Sequence, residues 1–284
     1  MYDPDLIYDV GMHLGEDTEY YLKKGFRVIA FEANPELVAS CERRFIDQIK
    51  SGQLSIVEGA VAPASFGDTI TLYQSSVSGH GTIHADLNKR NSELGWSSIR
   101  PSIQVKRIDF VDIVVRYGIP FYLKIDIEGS DRYVLSTLGR FPSRPKYISL
   151  EAERANFSNL ESELRMLRDL GYDKFKAIQQ ATIPGSSIIT KDLVGSHVEH
   201  TFSDHSSGGF GDDLEPPWES YDQVLKTYRR IFKYYHVFGD RSVLRQVYLR
   251  SGLKSLLRTH LPSLTGRPLI RRPLLGWYDT HASR

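Results

Sequence analysis

The stretch that decides the fold is Ile7-Tyr8-Asp9-Val10-Gly11-Met12-His13-Leu14-Gly15. Its first half is typical of a short buried β-strand, and its glycines predict a tight turn, because glycine adopts positive φ at no steric cost. Residues 16–24 then form a helical pattern, with acids in the first turn and lysines in the last, as the helix dipole favours. Gly25 follows as a C-terminal cap. The chain therefore opens with a strand, a glycine turn and a helix.

The same alternation continues and predicts a parallel sheet. Residues 27–31 form a second apolar run, Pro35 begins a second helix that runs through Arg44 towards Lys50, and residues 54–57 form a third strand. Units of this β-α-β kind with short links build parallel sheets with right-handed crossovers. We therefore expect an α/β, Rossmann-like fold.

Beyond the third strand the pattern is less regular. Residues 68–74 alternate like a strand, and a Ser-, Gly- and Asn-rich insertion follows at about 75–101. We predict further strands at 103–105, 121–125 and 147–150, helices at 109–117, 130–138 and 157–170, and an antiparallel edge pair formed by 173–179 and 186–190. Residues 1–190 are predicted to form the Rossmann-like domain, and residues 191–284 a loop and helical extension that packs on it.

Three consecutive strand ends carry residues that suit a cofactor. Ligands of such sheets bind outside the carboxyl ends of the strands. The first end carries Asp9 with Gly11 and Gly15. A dinucleotide fingerprint aligned on Gly11 would need glycines where this chain has Asp9 and Leu14. A carboxylate there would repel a pyrophosphate but suits a ligand with a cationic end, such as S-adenosylmethionine.

The next two strand ends extend this interpretation. Glu32 stands about twenty residues further on, where an acid accepts hydrogen bonds from both hydroxyls of a ribose. The third strand ends in Glu58-Gly59-Ala60, where small residues and a nearby acid can border an adenine. These features predict a crevice for an adenosine-containing ligand.

Three blocks of the sequence resemble a known family. Asp9-Val10-Gly11 with Gly15, the stretch 31–35 and especially Leu123-Lys124-Ile125-Asp126-Ile127-Glu128-Gly129 are similar to the signature blocks of FkbM-type methyltransferases. The resemblance extends from about residue 8 to about residue 178. It implies a methyltransferase fold, S-adenosylmethionine as cofactor, and a hydroxyl acceptor on a sugar or secondary-metabolite scaffold. The family usually has Ala-Asn after the first glycine, where this chain has Met12-His13.

The resemblance and the strand ends together define the predicted cofactor site. Its residues are Asp9, Gly11, His13, Gly15, Glu32, Ala33, Asn34, Glu58, Gly59, Ala60 and Asp126.

Methyl transfer to a hydroxyl needs a group that orients the acceptor and takes its proton. We predict Asp126, Glu128 and Glu153 as catalytic residues, because they follow two central strands at the same edge of the sheet. His80 and His84 in the insertion are further candidates. A divalent metal on the carboxylates, or on the histidines around residue 200, stays open, and no metal ligand is assigned.

Composition narrows the class of protein. No apolar run reaches the roughly 18 residues that span a bilayer, and Cys41 is the only cysteine, so a cytoplasmic setting is expected. Residues 219–284 hold 13 Lys/Arg against 4 Asp/Glu, and the rest of the chain holds 23 against 31. This basic tail, amphipathic over 243–261, leaves open a homodimer or a peripheral membrane contact. We expect no nucleic-acid partner, because the body is acidic and lacks a reader motif.

The sequence thus predicts an S-adenosylmethionine-dependent O-methyltransferase that acts on a small-molecule or glycan acceptor. Two alternatives stay open at this point: an NAD(P)-dependent oxidoreductase or epimerase, and a nucleoside-binding module without catalytic activity.

Overall fold

The computed structural model describes residues 1–74, 81–86, 89, 101–127, 129–238 and 277–284. Three features singled out in the sequence lie outside these residues: Glu128, His80 and the amphipathic segment 243–261.

The strands of the described residues are, in chain order, β1 Asp3–Val10, β2 Arg27–Glu32, β3 Leu54–Glu58, β4 Ala60–Val61, β5 Thr69–Leu72, β6 Ile103–Ile108, β7 Pro120–Ile125, β8 Tyr147–Glu151, β9 Lys174–Gln179, β10 Ser187–Lys191, β11 His197–Thr201 and β12 Tyr278–Ser283. The helices are α1 Glu16–Lys23, α2 Pro35–Arg44, α3 Ile46–Lys50, α4 Phe110–Tyr117, α5 Asp131–Leu138, α6 Phe157–Asp169 and α7 Tyr221–Phe238. No described helix is long and apolar enough to cross a membrane.

Seven strands form the main sheet in the order β3-β2-β1-β7-β8-β12-β9. Neighbours from β3 to β8 pair in parallel, and β12 runs antiparallel to both β8 and β9. The predicted α/β, Rossmann-like architecture, mainly parallel with an antiparallel component, is confirmed. In the register of β1 and β7, Val10 lies opposite Ile125. The glycine turn and Asp126 therefore leave the sheet side by side.

The predicted antiparallel edge pair is wrong. β9 pairs with β12, which lies about a hundred residues further along the chain, and β10 pairs with β11 in a separate two-stranded sheet. The period of two in these segments identifies strands but does not identify their partners. β12 is buried along its whole length.

The position of β12 also bears on the domain division predicted at residue 190. β12 belongs to residues 191–284, yet it lies between two strands from the first 190 residues. The sheet is therefore built from strands of both ranges, and the division at residue 190 stays a prediction.

The helices cover the two faces of the sheet. Alternate residues of the central strands point to opposite faces, as the strand period requires. Tyr8, Leu123 and Ile148 pack with the helices from α4 to α7, and Ile7, Val28 and Tyr122 pack with α1 and α2. The second predicted helix is divided in the structure, because Phe45 leaves helical geometry between α2 and α3.

A covering segment, residues 202–213, completes the α1 face. The Phe210 ring stacks on Tyr122 with centroids 4.3 Å apart. Lys24 Nζ donates to both oxygens of Asp213, at 2.7 and 2.6 Å. This segment borders the carboxyl end of β7 and the start of β12, so it also helps to form the site described next.

Candidate functional site

The glycine turn is held close to the end of β7. Gly11 has φ 99°, and a Cβ there would clash with the carbonyl oxygen of Asp126. The Asp126 N–H donates to the Val10 carbonyl at 2.8 Å, which ties the end of β7 to the turn. Gly15 has φ 81°, and a Cβ there would overlap the Phe45 ring. Both glycines thus fix the shape of the turn through contacts with the protein.

Lys124 lies beneath this turn and gathers three carboxylates. Its Nζ is 3.4 Å from Asp9, 3.1 Å from Asp17 and 3.6 Å from Asp126. It also donates to the Gly11 carbonyl at 3.3 Å. Three acids around one ammonium leave the carboxyl edge of β1 and β7 with a surplus of negative charge.

The members of this cluster differ in exposure. Asp9 is fully buried, and its other oxygen accepts a 2.6 Å hydrogen bond from the Thr18 hydroxyl. The Asp17 and Lys124 side chains are 2% and 5% exposed, whereas that of Asp126 is 45% exposed. Asp126 is therefore the carboxylate that a ligand can touch, and Asp9 acts on the turn from below.

Burial shifts the titration of these groups. It raises the pKa of Asp9 to about 6, although Lys124 opposes the shift. Asp279 on β12 is also buried, and burial and the charge of Asp126 raise its pKa well above its usual range. Burial alone would lower the pKa of Lys124, but Asp9, Asp17 and Asp126 outweigh it and raise that pKa. The lysine is thus charged, and a further positive charge would favour ionisation of the acids.

Glu32 ends β2 beside the turn. One carboxylate oxygen accepts the His13 N–H at 2.9 Å, and the other accepts the Asn34 N–H at 2.8 Å. Asn34 in turn caps α2 by accepting the Glu36 N–H at 3.0 Å. Each oxygen of Glu32 keeps a second lone pair for another donor. Glu32 therefore lies at the predicted crevice and also fixes the backbone of the glycine turn and of the start of α2.

The third strand end lies next to Glu32. Glu58 pairs with Glu32 in the register of β2 and β3, and its side chain is exposed. The Gly59 N–H donates to the Glu32 carbonyl at 2.9 Å. Ala60 is buried in a small apolar cluster against which Ala33 and Ile83 pack. Residues from all three predicted strand ends thus meet at one edge of the sheet.

Glu153 follows β8 and organises its own loop. Its carboxylate accepts the N–H of Ala155 at 2.5 Å. Glu163 of α6, which is half-buried, lies near Glu153 and Asp131; burial and the Asp131 charge raise its pKa to about 7. Glu153 is thus brought to the same edge as Asp126, one strand further along.

A groove opens beside Glu153. It is shallow and lies between the loop after β8, the start of β12 and one side of α7. Its walls include Glu153, Arg154, Tyr228, Phe232, Tyr235 and Tyr278. The groove is too shallow to enclose a ligand, so only a surface contact with its aromatic side chains and charged end is open.

Several residues of the site were missed in the sequence. In the sequence, Asp17 is one of the acids in the first turn of a helix, where the helix dipole favours it. In the structure, its carboxylate accepts the N–H of Ser207 at 2.8 Å. Asp279 follows Trp277 and Tyr278, in a stretch for which the sequence analysis predicted no strand. The spacing of Asp9 and Asp17 could have predicted this position of Asp17, because the helix after the glycine turn packs back over the strand that carries Asp9.

His84 is the one insertion histidine that the structure describes. Its Nε2 is 3.4 Å from the Ser130 hydroxyl, in the loop that follows β7. Among the described residues, no group of three or more His, Cys, Asp or Glu is arranged to hold a metal ion.

Comparison with known proteins places these features in context. The family model described as Methyltransferase FkbM domain matches residues 9–174. That range includes Asp9, the glycine turn, Glu32, Asp126 and Glu153. No curated protein sequence gives a significant match.

Solved structures also resemble the chain. Precorrin 8w decarboxylase of Methanobacterium thermoautotrophicum is 15% identical, with 70% of this chain and 78% of that chain covered and a TM-score of 0.34. Precorrin-6y C5,15-methyltransferase from Geobacter metallireducens is 15% identical, with 71% and 77% covered and a TM-score of 0.34. Methyltransferase FkbM from Methylobacillus flagellatus is 18% identical, with 59% and 38% covered and a TM-score of 0.36.

Proposed function

This chain belongs to the family of FkbM-domain methyltransferases, and from that premise we propose that it transfers the methyl group of S-adenosylmethionine to a hydroxyl of a sugar, glycoconjugate or secondary metabolite. The family match favours this function over an NAD(P)-dependent oxidoreductase, which was the main alternative from the sequence.

The observation that carries the proposal is the surplus of negative charge at the glycine turn. Asp9, Asp17 and Asp126 share one ammonium, that of Lys124, within 3.6 Å. S-adenosylmethionine carries a sulfonium and an ammonium, and both are favoured near such a surplus. Asp126 is exposed to the crevice and would hold the ammonium directly. The residues present therefore fit this donor.

The other end of the donor would lie over β2 and β3. The free lone pairs of Glu32 suit the two ribose hydroxyls, since both of its oxygens are already oriented by backbone N–H groups. Ala33 and Ile83 pack against the apolar cluster that contains Ala60; the two alanines would leave room for an adenine, and Ile83 offers it an apolar contact.

The acceptor would bind on the β8 side of the same edge. The groove beside Glu153 has aromatic walls, which suit the apolar faces of a sugar ring. The sulfonium of a bound donor makes its methyl carbon electrophilic. One of the two carboxylates, Asp126 or Glu153, would accept the proton of the acceptor hydroxyl and the other would orient it, as the new carbon–oxygen bond forms and the carbon–sulfur bond breaks to leave the thioether.

Two measurements test this proposal. Calorimetry should show binding of S-adenosylmethionine and none of NAD, and the reverse result would contradict it. Extracts of sugars and metabolites incubated with the protein and S-adenosylmethionine should yield a product heavier by one methylene. Asp126→Asn and Glu153→Gln should each lower its rate of formation about 10²–10⁴-fold. If either variant retains the full rate, that carboxylate does not act as the base.

A further inference from the structure

Two histidines with left-handed backbones meet at the glycine turn. Among the described residues, His13 (φ 54°) and His205 (φ 68°) are the non-glycine residues with positive φ. Their ring centroids lie 5.1 Å apart, although 191 positions separate them in the sequence. Such backbone conformations are unfavourable for residues with a Cβ, and they concentrate at ligand sites and clamps.

The His13 ring has one nitrogen engaged and one without a partner. Nδ1 lies 3.0 Å from a carboxylate oxygen of Glu16. Nε2 is buried and has no hydrogen-bond partner within the described ranges. Burial would lower the pKa of His13, but the hydrogen bond and charge of Glu16, assisted by Glu32, outweigh it and raise that pKa. When this ring is protonated, its Nε2–H is a donor without an acceptor among the described residues.

In the part of the chain that the structure describes, the two other cations near the turn, Lys124 and Arg44, are already engaged. Lys124 is surrounded by three carboxylates and the Gly11 carbonyl. Arg44 donates to the Leu14 carbonyl at 2.6 Å and pairs with Glu19. The amino-acid end of S-adenosylmethionine carries a carboxylate as well as an ammonium. The surplus of acids suits the ammonium and repels the carboxylate, which needs a cationic donor of its own.

We propose that His13, held by Glu16, binds the carboxylate of the donor's amino-acid end through its unpartnered Nε2. The inference rests on the proposed function, because it assumes S-adenosylmethionine as the donor. His205 is exposed and packs over the His13 ring. Because Nε2 is buried in this arrangement, the carboxylate can reach it only after the His205 ring has moved away.

The test uses two ligands that differ only in this group. Decarboxylated S-adenosylmethionine retains the sulfonium and the ammonium but lacks the carboxylate. We expect the wild-type protein to bind S-adenosylmethionine about tenfold or more tightly than the decarboxylated ligand, as a charge-assisted hydrogen bond allows. In His13→Asn this ratio should fall several-fold, because asparagine carries no positive charge, with the affinity for the decarboxylated ligand almost unchanged. Asparagine is chosen because it tolerates positive φ.

The dependence on pH gives a second readout from the same calorimetry. The charged or titratable groups that face His13 are Glu16 from α1, Glu32 from β2, Lys124 from β7 and His205. Deprotonation of His13 removes the cation, so the wild-type ratio should shrink as pH rises through its pKa. The ratio of His13→Asn should stay flat, and that of His205→Ala should follow the wild type.

Each other outcome has a definite meaning. If the wild type binds neither ligand, the proposed function fails and takes the inference with it. If the wild type binds both equally, or if His13→Asn preserves the ratio, the inference is wrong and the proposed function stands. Equal weakening of both ligands in His13→Asn would show that His13 only shapes the turn. Loss of the ratio in His205→Ala alone would assign the carboxylate to His205.

Discussion

Gly11 shows how a single residue fixes the relation between two strands. Its φ of 99° and the nearby Asp126 carbonyl leave no room for a side chain. The requirement comes from a backbone contact across the sheet, so a rotamer change cannot relieve it. The sequence predicts that Gly11 forms a tight turn. In the structure, Gly11 also allows the turn after β1 to lie against the end of β7.

We expect Gly11→Ala to lower the free energy of unfolding by more than about 3 kcal/mol, because it adds a backbone clash to the strain of positive φ. Gly52→Ala is the matched control. Gly52 has φ 78° and nothing within 4 Å of an added Cβ, so only the conformational cost of about 1–2 kcal/mol applies. Urea unfolding of both variants checks this, and equal losses would argue against the close approach.

At the scale of elements, β12 joins β8 to β9 in the sheet and also contributes an acid to the site. It pairs with β8 and β9, and Asp279 on this strand lies near Lys124 and Asp126. His281, two residues further on, is buried with an unpartnered Nε2. Burial, with the charge of Lys176, lowers the pKa of His281 to about 3. The strand therefore carries a neutral imidazole in the folded protein.

This imidazole should make stability depend on pH. Below about pH 6.5 the unfolded chain binds a proton at His281 that the folded protein does not bind, so stability is lost as pH falls from about 6.5 towards 3. Between pH 7.5 and 5.5, the wild type should lose about 1.4 kcal/mol more than His281→Gln. Urea unfolding at both values measures the difference. His197→Gln, at an exposed position, should behave as the wild type, and an unchanged pH dependence in His281→Gln would refute the assignment.

At the scale of the whole molecule, distant parts of the chain meet on the α1 face. Asp213 accepts hydrogen bonds from Lys24, Tyr20 and Thr190. Its side chain is 4% exposed and that of Lys24 is 9% exposed. This contact and the bond between Asp17 and Ser207 fasten the covering segment to α1. The segment lies outside the family match at 9–174, yet it completes the core and the site.

We expect Asp213→Asn to destabilise the protein by about 3–5 kcal/mol, because it leaves the buried Lys24 ammonium without a counter-charge. The neighbouring Asp212→Asn is the control. Asp212 is 83% exposed and lies 3.7 Å from Lys146, so its loss should cost less than about 1 kcal/mol. Thermal and urea unfolding measure the stability of both variants. A loss in Asp213→Asn as small as that in Asp212→Asn would mean that the covering segment contributes little to stability.

The succession of strands and helices up to residue 179 could be predicted from the sequence, because it depends on local pattern. Apolar runs, capping residues and glycines act within a few positions of themselves, and helices begin where Asn34, Asp109 and Asn156 cap them. The edge of the sheet at which Asp9, Glu32 and Asp126 meet also followed, since parallel strands bring their carboxyl ends together.

Only the tertiary structure decided the partners of these residues. The sequence places Asp9 at the cofactor turn but does not reveal that Lys124 balances its charge from the neighbouring strand. It marks His13 as unusual but not its contact with His205, and it offers no sign that the last strand enters the sheet. Such pairings depend on distance in space between segments far apart in the chain, and local periodicity carries no information about it. The sequence thus indicated the strand, the glycine turn and the acid at Asp9, whereas the fold determined which charges surround that acid.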